Sequence, residues 1–157
     1  MAIASAVLPD ADIITFGLGI NYEDMLGHRG LTHSLAFALV WGFMVAWSEF
    51  KQIARFSREW WGLVLFFFLA TASHGVLDAL TNGGLGVAFF APFDSTRYFF
   101  PWHEIEVSPL TVRQFFSEWG GAVVRSELKY IWLPCSVLWL AAWSVRRFSR
   151  SKLDRPI

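Results

Sequence analysis

Three apolar stretches, residues 34–47, 60–80 and 130–145, alternate with shorter polar segments and set the rhythm of the chain. Each predicts a helix. Only the second reaches the roughly 20 residues that cross about 30 Å of hydrocarbon. The outer two span a bilayer only by recruiting flanking residues or thinning it locally. Aromatics crowd the ends of the runs (Trp47, Trp60, Trp61, Tyr130, Trp132, Trp143), as they do at membrane interfaces. In the first run Ser34, Ala38, Gly42 and Ala46 recur every four residues. This stripe predicts close approach of a neighbouring helix, or else reflects an Ala-rich segment.

Between the second and third runs, residues 82–127 form a long connection: NGG, the apolar run LGVAFFAPF, then DSTRYFFPWHEIEVSP. Gly83 and Gly84 stand where a C-terminal cap of the second helix is expected. The aromatic and proline content predicts a segment at the interface or folded over the helix ends. Lys51, Arg55 and Arg58 in the first turn, and Arg146, Arg147, Arg150, Lys152 and Arg155 in the tail, place both on the cytoplasmic side. The N-terminal segment, the end of the second helix and the 82–127 connection then lie opposite.

Composition agrees with a membrane setting. Hydrophobic residues are 55% of the 157 and charged ones 17%, with nine Trp and sixteen Phe, more apolar surface than one small core hides. The predicted fold class is all-α: a polytopic membrane bundle of about three helices, forming one domain over residues 1–157. Thirteen basic and thirteen acidic residues balance, so direct nucleic-acid binding is not expected. The single Cys135 has no partner for a disulfide and reads as a buried apolar thiol. Residues 1–10 lack a signal peptide, and AIASAVLP reads as the tail of a hydrophobic segment, with a further helix expected upstream.

The chemistry-bearing residues gather on the non-cytoplasmic side. In TASHGVLDALT, Thr71, His74, Asp78 and Thr81 form one polar helical stripe, and His and Asp at i and i+4 can hold one metal ion or bond each other. LPDAD, if extended, presents Asp10 and Asp12 together; alone it equally suits a turn or cap. In GHRGLTHS, Thr32 is the expected N-cap of the first helix, with His28 in the preceding loop and His33, expected neutral, in the first turn.

Together Asp10, Asp12, His28, His33, His74 and Asp78 suffice for one or two divalent ions, with zinc, manganese or iron compatible. An open coordination position would lower the pKa of bound water to about 7. Arg29 would clamp a phosphate or other oxyanion. His103, beside Glu104 and Glu106, is left outside the site. No phosphate-binding glycine loop, nucleophile elbow or HExxH helix is present.

LPDAD, GHRGLTHS, SHGVLDALTNGG and a following APF resemble, in order, the motifs of the YdjM-like family, LexA-binding, inner-membrane-associated proteins with a predicted metal-dependent hydrolase activity. The resemblance covers roughly residues 7–110, and GHRGLTHS is its most specific element. It implies a bacterial inner-membrane protein. The family is distantly similar to zinc-dependent phospholipase C and P1-type nucleases, helical proteins that cleave phosphoesters. On that analogy Asp10, His28, His33, His74 and Asp78 match the ligand motifs, with Asp12 a sixth and zinc the first choice of metal. Relatives usually begin with a further helix carrying an early histidine, which nothing before Leu8 supplies, and no motif here matches the LexA-binding label.

Three functions follow as expectations. The first is hydrolysis of a lipid-linked or other phosphoester by metal-activated water, with membrane lipids as surroundings. The second is a non-catalytic membrane scaffold or metal-binding partner protein. The third is a transporter with a His–Asp proton relay, which needs more helices than one chain has.

Overall fold

The computed structural model describes the backbone of residues 1–153 and the side chains of residues 1–147. Arg150, Lys152 and Arg155, counted above in the tail charge, lie outside the described side chains. The regular elements among the described residues are all helices, joined by turns and loops, and the one ladder contact among them is an antiparallel bridge between Val87 and Tyr98. It divides into two compact units, Met1–His103 and Glu104–Ile157.

The first unit holds α1 (Ala2–Val7), a 3₁₀ segment (Leu8–Leu18), a short 3₁₀ turn (Leu31–His33), α2 (Leu35–Glu49) and α3 (Arg58–Ala79). Pro9 lies in the first turn of the first 3₁₀ segment, so LPDAD is helical and not extended. Proline suits that position because its fixed φ is preset for a helical turn and its missing N–H would have had no partner there. Ser34, not Thr32, caps α2, its hydroxyl accepting from the Phe37 N–H at 3.1 Å. Ser57 caps α3 in the same way through Trp60 N–H. Helix α3 ends at Ala79, where the Leu80 N–H closes the last turn. Gly84 (φ 83°) comes too late to be the expected cap.

The small-residue stripe is a packing face: Ser34, Ala38, Gly42 and Ala46 are all buried. A Cβ on Gly42 would come within 2.7 Å of the Val64 carbonyl oxygen and 2.8 Å of the Phe68 nitrogen, so α2 and α3 touch backbone to backbone there. We expect Gly42→Leu to destabilise the detergent-solubilised protein by at least about 1–3 kcal/mol, since backbone cannot yield as a side chain does. Thermal unfolding beside wild type measures it, and an unchanged midpoint would refute the contact. Trp60, expected at an interface, is instead fully buried against Phe43, Phe56 and Trp61 beside Ala46 and Val64.

The second unit holds α4 (Val112–Phe115), α5 (Glu118–Glu127), a π-helical turn (Leu128–Trp132) and α6 (Leu133–Leu153). The third helix therefore begins well before residue 130, and the 82–127 connection ends in a helix instead of reaching Glu127 as loop. The polar face of EWGGAVVRSELK hides it from a hydropathy reading, while Ser117 caps it by accepting from Trp119 N–H. Cys135 is exposed on α6, not buried.

Among the described residues two helical stretches are long and apolar enough to cross a membrane, Arg58–Ala79 and Glu118–Arg147. At 1.5 Å per residue the 22 residues of α3 extend about 33 Å, enough for the hydrocarbon layer. The 15 residues of α2 extend only about 22 Å.

Candidate metal centre

Four segments of the first unit meet beside the C-terminal end of α3: the Leu8–Leu18 3₁₀ segment, the loop through His28 and Arg29, the Leu31–His33 turn, and α3 itself. Gly75 makes the approach possible, because a Cβ there would lie 2.8 Å from the His33 carbonyl oxygen. Every residue expected from the sequence to bind metal is in this cluster, divided into two groups that share His33: Asp10, His33, His74 and Asp78, and Asp12, His28 and His33.

In the first group the donor atoms face a common point. His74 Nε2 lies 3.2 Å from Asp10 Oδ1 and 3.7 Å from Asp78 Oδ2; His33 Nε2 lies 3.2 Å from Asp78 Oδ2 and 3.6 Å from Asp10 Oδ1. Yet His33 Nε2, His74 Nε2 and Asp78 Oδ2 are buried and make no hydrogen bond. Buried polar atoms nearly always have partners. Three that converge without bonding one another could hold a cation. The donor set of two imidazoles and two carboxylates fits a divalent ion of the zinc, manganese or iron class. Asp10 is the open side, its side chain 47% exposed, whereas that of His33 is wholly buried.

The second group is different in kind. Asp12 Oδ1 accepts from His28 Nδ1 at 2.7 Å, and Oδ2 accepts from Thr32 Oγ1 at 2.6 Å and the Arg29 N–H at 3.3 Å, with His33 Nδ1 at 3.2 Å. Thr32 thus serves Asp12 instead of capping α2.

Asp10 and Asp12 reach opposite edges of one imidazole. Burial raises both carboxyls, but the histidines beside them, joined at Asp12 by Thr32, outweigh it and hold both well below the usual carboxylate range. At His33 burial lowers the pKa, and Asp10, Asp12 and Asp78 overcome it, raising the group from 6.5 to about 10. His33 was expected neutral as a first-turn residue. It lies before the helix among three carboxylates, which favour its charged form.

Arg29 is buried and left-handed (φ 62°), a conformation that costs a non-glycine residue energy and is held by its neighbours. Its carbonyl accepts from the Ala88 N–H at 3.0 Å. Its guanidinium donates to Asp78 Oδ1 at 3.1 Å and to the Gly83 carbonyl at 2.8 Å, while Nε is buried without a hydrogen-bond partner. His103, exposed and bonded through Nδ1 to the Phe100 carbonyl, belongs to neither group.

Two supporting residues escaped the sequence reading. Arg97 donates to the carbonyls of Tyr22 (2.8 Å), His28 (3.0 Å) and Asp24 (3.2 Å), clasping the loop that carries His28 and Arg29. Nothing in STRYFF signals this, because its partners are backbone carbonyls. Tyr22 stacks edge-on to His28 at 5.3 Å, and burial raises its hydroxyl pKa.

The chain also matches known proteins. The Escherichia coli (strain K12) inner membrane protein YbcI is 37% identical over 147 residues, covering 90% of this chain and 80% of that protein. No solved structure matches the chain significantly. The profile of the YdjM inner membrane proteins matches residues 1–152, so the aspartates and histidines just described all lie inside it, and the chain belongs to the YdjM inner membrane protein family.

Proposed function

We propose that this chain is a membrane-bound, metal-dependent hydrolase of a phosphoester, with a divalent ion, zinc first, held by Asp10, His33, His74 and Asp78. The observation that carries the reading is the convergence of His33 Nε2, His74 Nε2 and Asp78 Oδ2, buried and unbonded, on the open side guarded by Asp10. When bound, the ion would polarise a phosphoryl oxygen and bring the pKa of a water to about 7.

The protein's own groups do the rest. Arg29 holds Asp78 by Oδ1, which leaves Oδ2 turned to the cluster, and adds positive charge beside the place where a phosphoryl group would sit. Gly83 fixes the guanidinium by its carbonyl. Asp10, the most exposed donor, lies on the path of an incoming substrate.

Depth favours a lipid-linked phosphoester. Asp78 is 20 residues beyond Arg58, about 30 Å along α3 and so at the level of a bilayer's headgroups when Arg58 lies at the opposite face. With Lys51, Arg55 and Arg58 cytoplasmic, the centre faces the periplasm. Helix α2 would then complete a third crossing with flanking residues or in a locally thinned bilayer.

One observation favours the second reading, a non-catalytic metal-binding membrane protein. Four protein donors fill a tetrahedral zinc shell, the pattern of structural sites, whereas catalytic sites keep a position open. A catalytic zinc would need Asp10 to yield or a fifth position; manganese or iron, with larger shells, would not. Turnover decides. Metal-dependent cleavage of a bis-aryl phosphodiester by the detergent-purified chain, lost in His33→Ala, is the expected result; stoichiometric metal without cleavage of any phosphomonoester, phosphodiester or phospholipid assigns the second.

A further inference from the structure

Asp12 is one residue from Asp10 but on the other edge of His33, and its oxygens are spent. Oδ1 is taken by His28 Nδ1; Oδ2 is taken by Thr32 Oγ1 and the Arg29 N–H, and lies 3.2 Å from His33 Nδ1. The side chain is 1% exposed. Asp78 contrasts with it: one oxygen is held by Arg29 and the other is buried without a partner. An ion set among Asp12, His28 and His33 would break several of these bonds and compete for the imidazole that the first group needs.

We propose that Asp12 is a positioning residue rather than a ligand: it accepts the His33 Nδ1–H, held in place by His28 and Thr32, so the centre takes one ion through His33 Nε2 and not two. A ligating histidine is commonly oriented this way, its second N–H bonded to a carboxylate that fixes the tautomer and strengthens the donor nitrogen. His28 then belongs to the layer behind Asp12. Thr32 Oγ1, 3.1 Å from His33 Nδ1, braces the same edge. The inference rests on the ligand set proposed above.

Cobalt(II) titration of the full-length protein in detergent, followed by calorimetry and visible absorption, tests it. Wild type is expected to take one ion. Asp12→Asn should keep that stoichiometry and the absorption bands of wild type while binding about 10–100-fold more weakly, and Thr32→Val should bind a few-fold more weakly. His74→Ala, which removes a ligand, should instead lose the ion or change the bands.

Two ions in wild type, bands in Asp12→Asn altered as in His74→Ala, or undiminished affinity in Asp12→Asn would overturn the proposal. Should Asp12→Asn not fold, wild-type stoichiometry and Thr32→Val decide: a second ion, or undiminished affinity in Thr32→Val, overturns it. A wild type that binds no ion removes the underlying ligand reading as well, which distinguishes the two failures.

Discussion

Replacing His33 with alanine is expected to abolish metal binding and to cost the metal-free fold about 3–5 kcal/mol, the usual penalty for removing one partner of a buried charge cluster. His33 is the one residue common to both groups. Its Nε2 faces Asp10 and Asp78, and its Nδ1 faces Asp12. Without the imidazolium, the carboxylates of Asp10, Asp12 and Asp78 crowd together with the Arg29 guanidinium as the nearest fixed positive charge. His33→Gln should fare little better, since one side-chain amide cannot present a nitrogen to each edge. Metal content and thermal unfolding of both variants in detergent measure the two effects. Wild-type metal content in either variant would remove His33 from the ligand set.

The second large effect is a reversal of pH dependence by metal. In the chelated protein His33 has its pKa raised from 6.5 to about 10. A raised folded pKa gives stability that is fully present below 6.5 and lost as pH climbs through about 10, because the folded chain keeps a proton the unfolded chain releases. Asp10 and Asp12, with folded pKa values lowered from 3.8, act oppositely: their contribution is present above 3.8 and lost as pH falls through their depressed values. The metal-free melting temperature should therefore be highest between these limits and fall steadily on the alkaline side.

Metal loading takes the His33 proton from Nε2, so apparent affinity should rise by about tenfold per unit between about pH 6 and about pH 9. Melting curves with and without chelator, and titrations across that range, test both halves. A chelated protein that gains stability toward pH 9 would contradict the assigned charge of His33.

The residues of the centre were legible in the sequence because their spacing carries meaning without tertiary knowledge. His74 and Asp78 are one helical turn apart on a run otherwise apolar, and a His–Arg–Thr–His cluster ahead of an apolar helix has few structural uses. Their division into two groups was not legible. Asp10 and Asp12 would face the same way on an extended chain, but on a 3₁₀ turn they diverge and grip His33 from two sides. Thr32 has the right chemistry for a cap, yet Ser34 is nearer the helix and takes that task, freeing Thr32 for Asp12.

Fold features followed the same rule. The Ser34–Ala38–Gly42–Ala46 face emerged because close backbone packing selects small residues at fixed spacing. Helix α5 did not, since an amphipathic surface lowers the hydropathy of a segment that is helical all the same. Arg97 was invisible for a third reason: its partners are carbonyls, which every residue has. Trp60 and Cys135 were each placed on the wrong side, one buried where an interface was expected and the other exposed where a core was.

The central question is whether the converging donors hold an ion. Elemental analysis of the detergent-purified chain, prepared without metal-affinity chromatography and compared with His74→Ala, answers this most directly. We expect about one equivalent of zinc, manganese or iron per chain, absent from the variant. Metal-free wild-type protein that also fails to take up added zinc, manganese or iron would contradict it, and would leave the four side chains as a proton-sharing cluster inside a membrane protein.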